Sequence, residues 1–217
     1  FPRNLATLRM ELVALAALGR AREVNERLAE IDEFPPDPIR LPAPVMLETA
    51  LDLAAHGDSA AARRALARTL AWHARRPAAE QTTAAMRFER AKTYYAAGYA
   101  DSARAIAEQL VLAHPDSQQY AGLLGVLAVQ RGDRAEAARF DRVLSSLERP
   151  LGRGQATYWR ACIAALSGEH DRALDLLARA LDAGFFFQVH FLSAHMEPSF
   201  AALRDDPRFQ QLLRPKG

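Results

Sequence analysis

Residues 87–115 read RFERAKTYYAAGYADSARAIAEQLVLAHP, with small residues at Ala91, Gly98 and Ala103, a tyrosine pair at Tyr94 and Tyr95, and Pro115 at the end. Helix formers occupy both halves, and Gly98 divides them. The stretch therefore reads as two helices joined by a tight turn. What decides the fold is that this arrangement recurs. Glycine-centred turns stand at 18–22 (LGRAR), 56–60 (HGDSA), 97–101 (AGYAD), 131–135 (RGDRA) and 167–171 (SGEHD). Gly19, Gly57, Gly98, Gly132 and Gly168 are 38, 41, 34 and 36 residues apart, the period of a two-helix repeat.

Other offsets agree once the glycines are aligned. Seven residues before each stands Leu12, Ala50, Ala91, Gly125 or Ala161, and five after stands Val24, Ala62, Ala103, Ala137 or Ala173. These mostly small residues suit the close approach of two helices in a hairpin. Leu15, Leu53, Tyr94, Ala128 and Ala164, four before the glycine, fill the space between those contacts. A generic helical bundle would share the amphipathic helices but has no reason to repeat these offsets five times. The alternating β-branched runs that a sheet needs are essentially missing.

On these residues the chain resembles the tetratricopeptide repeat family, whose 34-residue unit carries small residues at its eighth and twentieth positions, glycine near the fifteenth and often proline at the thirty-second. The copy at 84–117 matches best, through Ala91, Tyr94, Gly98, Ala103 and Pro115. The others are 5–38, 43–77, 118–150 and 154–184. The tryptophan often found at the fourth position is replaced by Leu8, Met46, Arg87, Ala121 and Thr157. The expected architecture is all-α: a right-handed α-solenoid of about five tetratricopeptide-like hairpins over 1–217, closed by a cap at 185–217. Asp58, Asp101, Asp116 and Asp133 are candidate helix caps. The proline-rich joint at 34–44 reads as a rigid loop anchored by Phe34, Ile39 and Leu41, and RRP (75–77) and Pro150 mark further breaks.

Residues 185–217 break the period. Asp206-Pro207 reads as a cap and first helical residue, with Phe209, Leu212 and Leu213 on one face. A terminal unit of this kind covers the apolar face of the last repeat. The ending also resembles that of tetratricopeptide arrays fused to bacterial signalling and transcription-regulator proteins, through Phe200, Leu203, Asp206, Pro207, Phe209, Leu212 and Leu213.

Composition narrows the function. The 217 residues are 50% apolar and 25% charged, with a formal net charge of +2, which describes an ordinary globular surface rather than a polycation. Basic residues alternate with Glu, Asp and Ala, and the densest basic spot, His73-Ala74-Arg75-Arg76, is short, so nucleic acid is not the expected partner; the basic run Arg63, Arg64, Arg68, Arg75 and Arg76 is what a nucleic-acid-binding alternative would use. One cysteine, Cys162, fits a reducing compartment, and no signal peptide or membrane-spanning run stands out; the expected location is cytoplasmic. The absence of an initiating methionine suggests a piece of a longer chain.

No phosphate loop, HExxH, GxSxG or paired-cysteine motif is present, so no enzyme activity and no cofactor or metal is expected. The six histidines, His56, His73, His114, His170, His190 and His195, read as satisfied or solvated, and Cys162 as a small apolar residue. The family resemblance implies that repeat positions two, five, nine and twelve of each first helix face a ligand groove. Carried onto this chain, the strongest candidates are Arg9, Leu47, Phe88, Lys92, Tyr95, Val129 and Tyr158. The implied partner is a protein or peptide with an apolar or amphipathic segment, in a non-enzymatic scaffold or regulatory module. Three alternatives stay open: several candidates serve as interrepeat core, the groove is occupied by the chain's own C-terminal or N-terminal segment, or the repeats mediate self-association.

Overall fold

The computed structural model describes residues 4–31, 34, 41–149, 152–185 and 194–214. Among them every regular element is helical: α1 Leu5–Ala17, α2 Ala21–Ala29, α3 Pro42–Ala55, α4 Ser59–Ala74, α5 Ala78–Gln81, α6 Ala84–Ala96, α7 Ala100–Ala113, α8 Gln118–Gln130, α9 Arg134–Ser146, α10 Gln155–Leu166, α11 His170–Asp182, a 3-10 helix Pro198–Leu203 and α12 Pro207–Leu212. The repeat predicted from the glycine spacing is therefore a repeat of paired helices.

All five turns are built alike. Each glycine sits in the left-handed region, with φ from 69° at Gly19 to 90° at Gly57, where a side chain is strained. Each glycine N–H donates to the carbonyl three residues back and the next N–H to that of its fifth predecessor, as at Gly132→Val129 (2.9 Å) and Asp133→Ala128 (3.0 Å). This pairing satisfies carbonyls that the helix end would otherwise leave open. Asp58 and Asp133 then accept from the N–H groups of Ala61 and Glu136 and start the second helix, as their placement predicts. Asp101 instead lies inside the first turn of α7, and Asp116 is exposed one residue before Ser117, which occupies the cap position of α8.

The chain divides into two compact units, Phe1–Tyr99 and Ala100–Gly217. The boundary falls beside Gly98, inside the copy that matches the repeat best. In the first unit α1 pairs with α2 and α3 with α4; α1 stacks on α3, and α6 lies against α3 and α4. Leu12, Ala50 and Ala91 are buried, as are Val24 and Ala62 on the second helices. The short α5 after Pro77 was not foreseen. The structure begins α3 at Pro42, so the end of the proline-rich joint is helical rather than loop. Phe34 is buried as expected, but Leu41 is exposed; Ile39 and Pro150 lie outside the described residues.

In the second unit α8 pairs with α9 and α10 with α11, and α8 also stacks against α10 and α7. Here the approach is closest. Gly122 and Gly125 of α8 face Trp159 and Ile163 of α10, and a Cβ on either glycine would overlap those side chains. The 3-10 helix seats on α10 and α12 on α11. Asp206 accepts from the Arg208 N–H and Pro207 begins α12, as the sequence predicts. Phe200, Leu203 and Phe209 are completely enclosed, with the Phe200 and Phe209 rings 5.7 Å apart. The cap thus covers the apolar face of the α10–α11 hairpin.

Candidate partner-binding site

The candidates fall on first helices, and burial separates them. In the first unit Arg9 of α1 is buried and its Nε donates to Glu48 Oε2 of α3, so its charge is used between hairpins. Leu47 is buried in α3 and Phe88 in α6. Four residues on from Phe88, the Lys92 ammonium lies 5.1 Å from the Phe88 ring centre and 2.9 Å from Glu89. Tyr95, one turn further along α6, is half-buried. Helical spacing therefore brings Phe88, Lys92 and Tyr95 onto one side of α6, with Phe88 as its floor and the other two as its accessible part.

In the second unit Val129 is half-buried at the edge of a cleft of about 540 Å³, whose apolar wall is Ile163 and Leu166. Its polar wall is an ion-pair network. Arg172 donates to Asp141 and Glu169 at 2.7 Å each, and Arg160 donates to the other Asp141 oxygen at 3.2 Å. Tyr158 is buried, stacked on Phe185 at 4.0 Å and edge-on to Phe200 at 5.8 Å. Its ring holds the cap on α10. Arg9, Leu47, Phe88 and Tyr158 thus occupy the core role that the sequence left as an alternative, because repeat position five points at a neighbouring element. Lys92, Tyr95 and Val129 keep accessible surface.

Other expectations change with burial. His73 of α4 is enclosed rather than solvated, edge-on to Trp72 at 5.4 Å, and neither ring nitrogen has a hydrogen-bond partner among the described residues. Burial pushes its pKa down to about 4, Glu89 opposes that shift, and Arg90 adds to it. His56 is exposed and sits 3.3 Å from the Asp52 carboxylate, which burial raises above its ordinary range. His190 lies outside the described residues. Cys162 is fully buried, and its thiol is pushed well up, first by burial and then by the Glu197 carboxylate. Glu197 itself accepts from the Ser199 N–H at 3.1 Å and its hydroxyl at 2.8 Å. Such an environment suppresses thiolate chemistry.

Of the basic run, Arg63, Arg64 and Arg75 are exposed, Arg68 donates to the Ala29 carbonyl at 2.9 Å, and Arg76 lies 4.6 Å over the Trp72 ring. No group of three His, Cys, Asp or Glu side chains among the described residues has a metal-binding arrangement. None of the described helices is long and apolar enough to cross a membrane. The Arg104–Glu136 and Arg160–Asp141–Arg172 pairings were not visible in the sequence, where their partners are 19 to 32 residues apart and no local spacing marks them.

Paired helices, a recurrent left-handed glycine turn and small residues at fixed contact positions define an all-α helical-repeat protein of the tetratricopeptide-like class. No family model matches the sequence, and no curated protein matches it. Two crystal forms of MamA AMB-1 are similar to it, each at 20% sequence identity. They have TM-scores of 0.39 and 0.37, over 81% and 82% of this chain and 96% and 97% of theirs.

Proposed function

We propose that this chain is a protein-interaction scaffold whose partner-binding surface is centred on α6, where Lys92 and Tyr95 stand above Phe88. The observation that carries the reading is the Lys92 side chain, held between the Phe88 ring and Glu89, which presents an ammonium on an aromatic floor. A surface of this kind suits an amphipathic helix or extended segment that offers an apolar side chain beside a carboxylate. Because it is set on a packed helix, little ordering entropy is lost on binding. Val129 and the cleft beside it offer a second apolar edge in the other unit.

The resemblance of the C-terminal ending to arrays in bacterial signalling and transcription-regulator proteins supports a cytoplasmic regulatory module as the setting. The test is affinity capture with the wild-type chain and the Lys92→Glu/Tyr95→Ala double variant. A specific prey retained by the wild type and lost by the variant, with both melting at the same temperature, supports the surface. Equal recovery by both removes it.

A further inference from the structure

The step from α9 to α11 is built differently from the step before it. Between α7 and α9, Arg104, six residues past its turn glycine, grips Glu136, four past the next one, and also pairs with Glu108 one turn along α7 at 2.7 Å. One repeat later the same register holds Ala138, Arg172 and Arg142 in place of Arg104, Glu136 and Glu108. An alanine methyl cannot make the bridge, and a cleft of about 540 Å³ opens between α9, α10 and the start of α11. Every residue lining it is among those described.

The exchange also leaves charge over. Asp141 accepts from Arg160 and Arg172, and Glu169 accepts from Arg172, so both carboxylates of the cleft are engaged. Arg134 and Arg142 line the same cleft, are exposed, and have no ion-pair partner among the described residues. With Ala138 they follow i, i+4, i+8 spacing along one side of α9, which sets the two arginines about 12 Å apart along its axis with only a methyl group between them. Beneath that methyl group lies the apolar floor of Val129, Ile163 and Leu166.

We propose that this cleft binds an acidic amphipathic helix of a partner protein, with carboxylates two turns apart on Arg134 and Arg142 and an apolar side chain between them over Ala138. Charge complementarity selects that occupant: the two arginines whose charge nothing in the cleft offsets are spaced as two turns of a helix are, and a guanidinium takes a carboxylate in paired hydrogen bonds. The apolar floor between them asks for a side chain that a nucleic-acid backbone does not have, and Asp141 and Glu169 on the wall repel a continuous run of phosphates. The site lies wholly in the second unit and does not rest on the α6 reading.

Fluorescence anisotropy of the full chain tests this with a labelled helical peptide carrying Glu at i and i+7 and Leu at i+3 and i+4. The wild type is expected to bind it with a dissociation constant on the order of 10–100 µM, and the same peptide with Lys for Glu at least ~10-fold more weakly. The Arg134→Glu/Arg142→Glu double variant also weakens binding at least ~10-fold. Ala138→Arg is the decisive variant, because it restores the residue that α7 carries at that place. It adds a positive charge yet fills the cleft, so binding falls at least ~10-fold, whereas diffuse attraction to a basic surface would strengthen it. All three positions are exposed, and each variant should melt within about 2 °C of the wild type. Lys92→Glu/Tyr95→Ala leaves the affinity unchanged. No saturable binding up to about 1 mM overturns the proposal. So does an Ala138→Arg chain that binds as well as the wild type or better, a double variant indifferent to the loss of Arg134 and Arg142, or a labelled oligonucleotide that binds more tightly than the Glu peptide.

Discussion

Arg104 of α7 grips Glu136 of α9 through two parallel hydrogen bonds, Nη1 to Oε2 at 2.6 Å and Nη2 to Oε1 at 2.8 Å. Both side chains are largely buried, and the hydrogen bonds from Arg104 hold the Glu136 carboxyl below its ordinary range. A fork-to-fork pair of this kind joins the second helices of successive repeats. Arg104→Ala is expected to cost about 1.5–3 kcal/mol in urea unfolding. Because the folded pKa of Glu136 is depressed, its contribution is complete above the unfolded carboxylate range and fades as pH falls through the folded value. Equal unfolding midpoints for wild type and variant at neutral pH would contradict this.

His73 predicts a separate acid sensitivity. Its pKa of about 4 lies below the unfolded value near 6.5, so between those values the unfolded chain binds the extra proton. Stability is full above pH ~6.5 and declines towards pH ~4, by up to about 3 kcal/mol from this group. Urea titrations across that interval should show a steeper pH slope for the wild type than for His73→Phe. Parallel slopes would mean that His73 is not held neutral by the fold.

Gly122→Ala forces a methyl group into Trp159 across the α8–α10 contact. Overpacking there is expected to cost about 1–3 kcal/mol, lowering Tm by roughly 2–4 °C per kcal/mol for a chain of this size. The exposed Gln130→Ala in the same helix serves as the control and should leave Tm within about 2 °C. A Gly122→Ala variant that melts with the wild type would show that α8 and α10 are not in this contact.

Phe200 joins the cap to α10 through Tyr158 and to α12 through Phe209. Truncation to alanine opens a cavity at a fully enclosed site, with an expected loss of about 3–5 kcal/mol. It should also speed modification of Cys162 by a thiol reagent, since the cap residues Glu197 and Ser199 stand beside that thiol. Unchanged thiol reactivity alongside unchanged stability would detach the cap from this role.

The legible part of the molecule is the part governed by local rules. Gly98 announces its turn because a left-handed residue is needed there whatever surrounds it, and Asp133 announces its cap because the N–H it satisfies is three residues away. Small residues such as Ala50 and Ala62, buried where α3 and α4 pair, mark a helix contact by the same short reach. Phe88 and Lys92 show where that reading stops. Repeat alignment puts both on one side of α6, but how far each is covered depends on what packs beside them: Phe88 is buried and Lys92 half-buried.

What the amino-acid sequence determined by itself was the repeat: helix, glycine turn, helix, and an atypical end, each set by backbone preference and by spacings of a few residues. What only the tertiary structure decided was which faces are covered. Met10 and Leu123 hold the same repeat position, and one is exposed while the other is enclosed. Likewise Arg104 found Glu136 and His73 lost its water only once distant helices came together. Burial and pairing are properties of neighbours in space, and no local spacing encodes them.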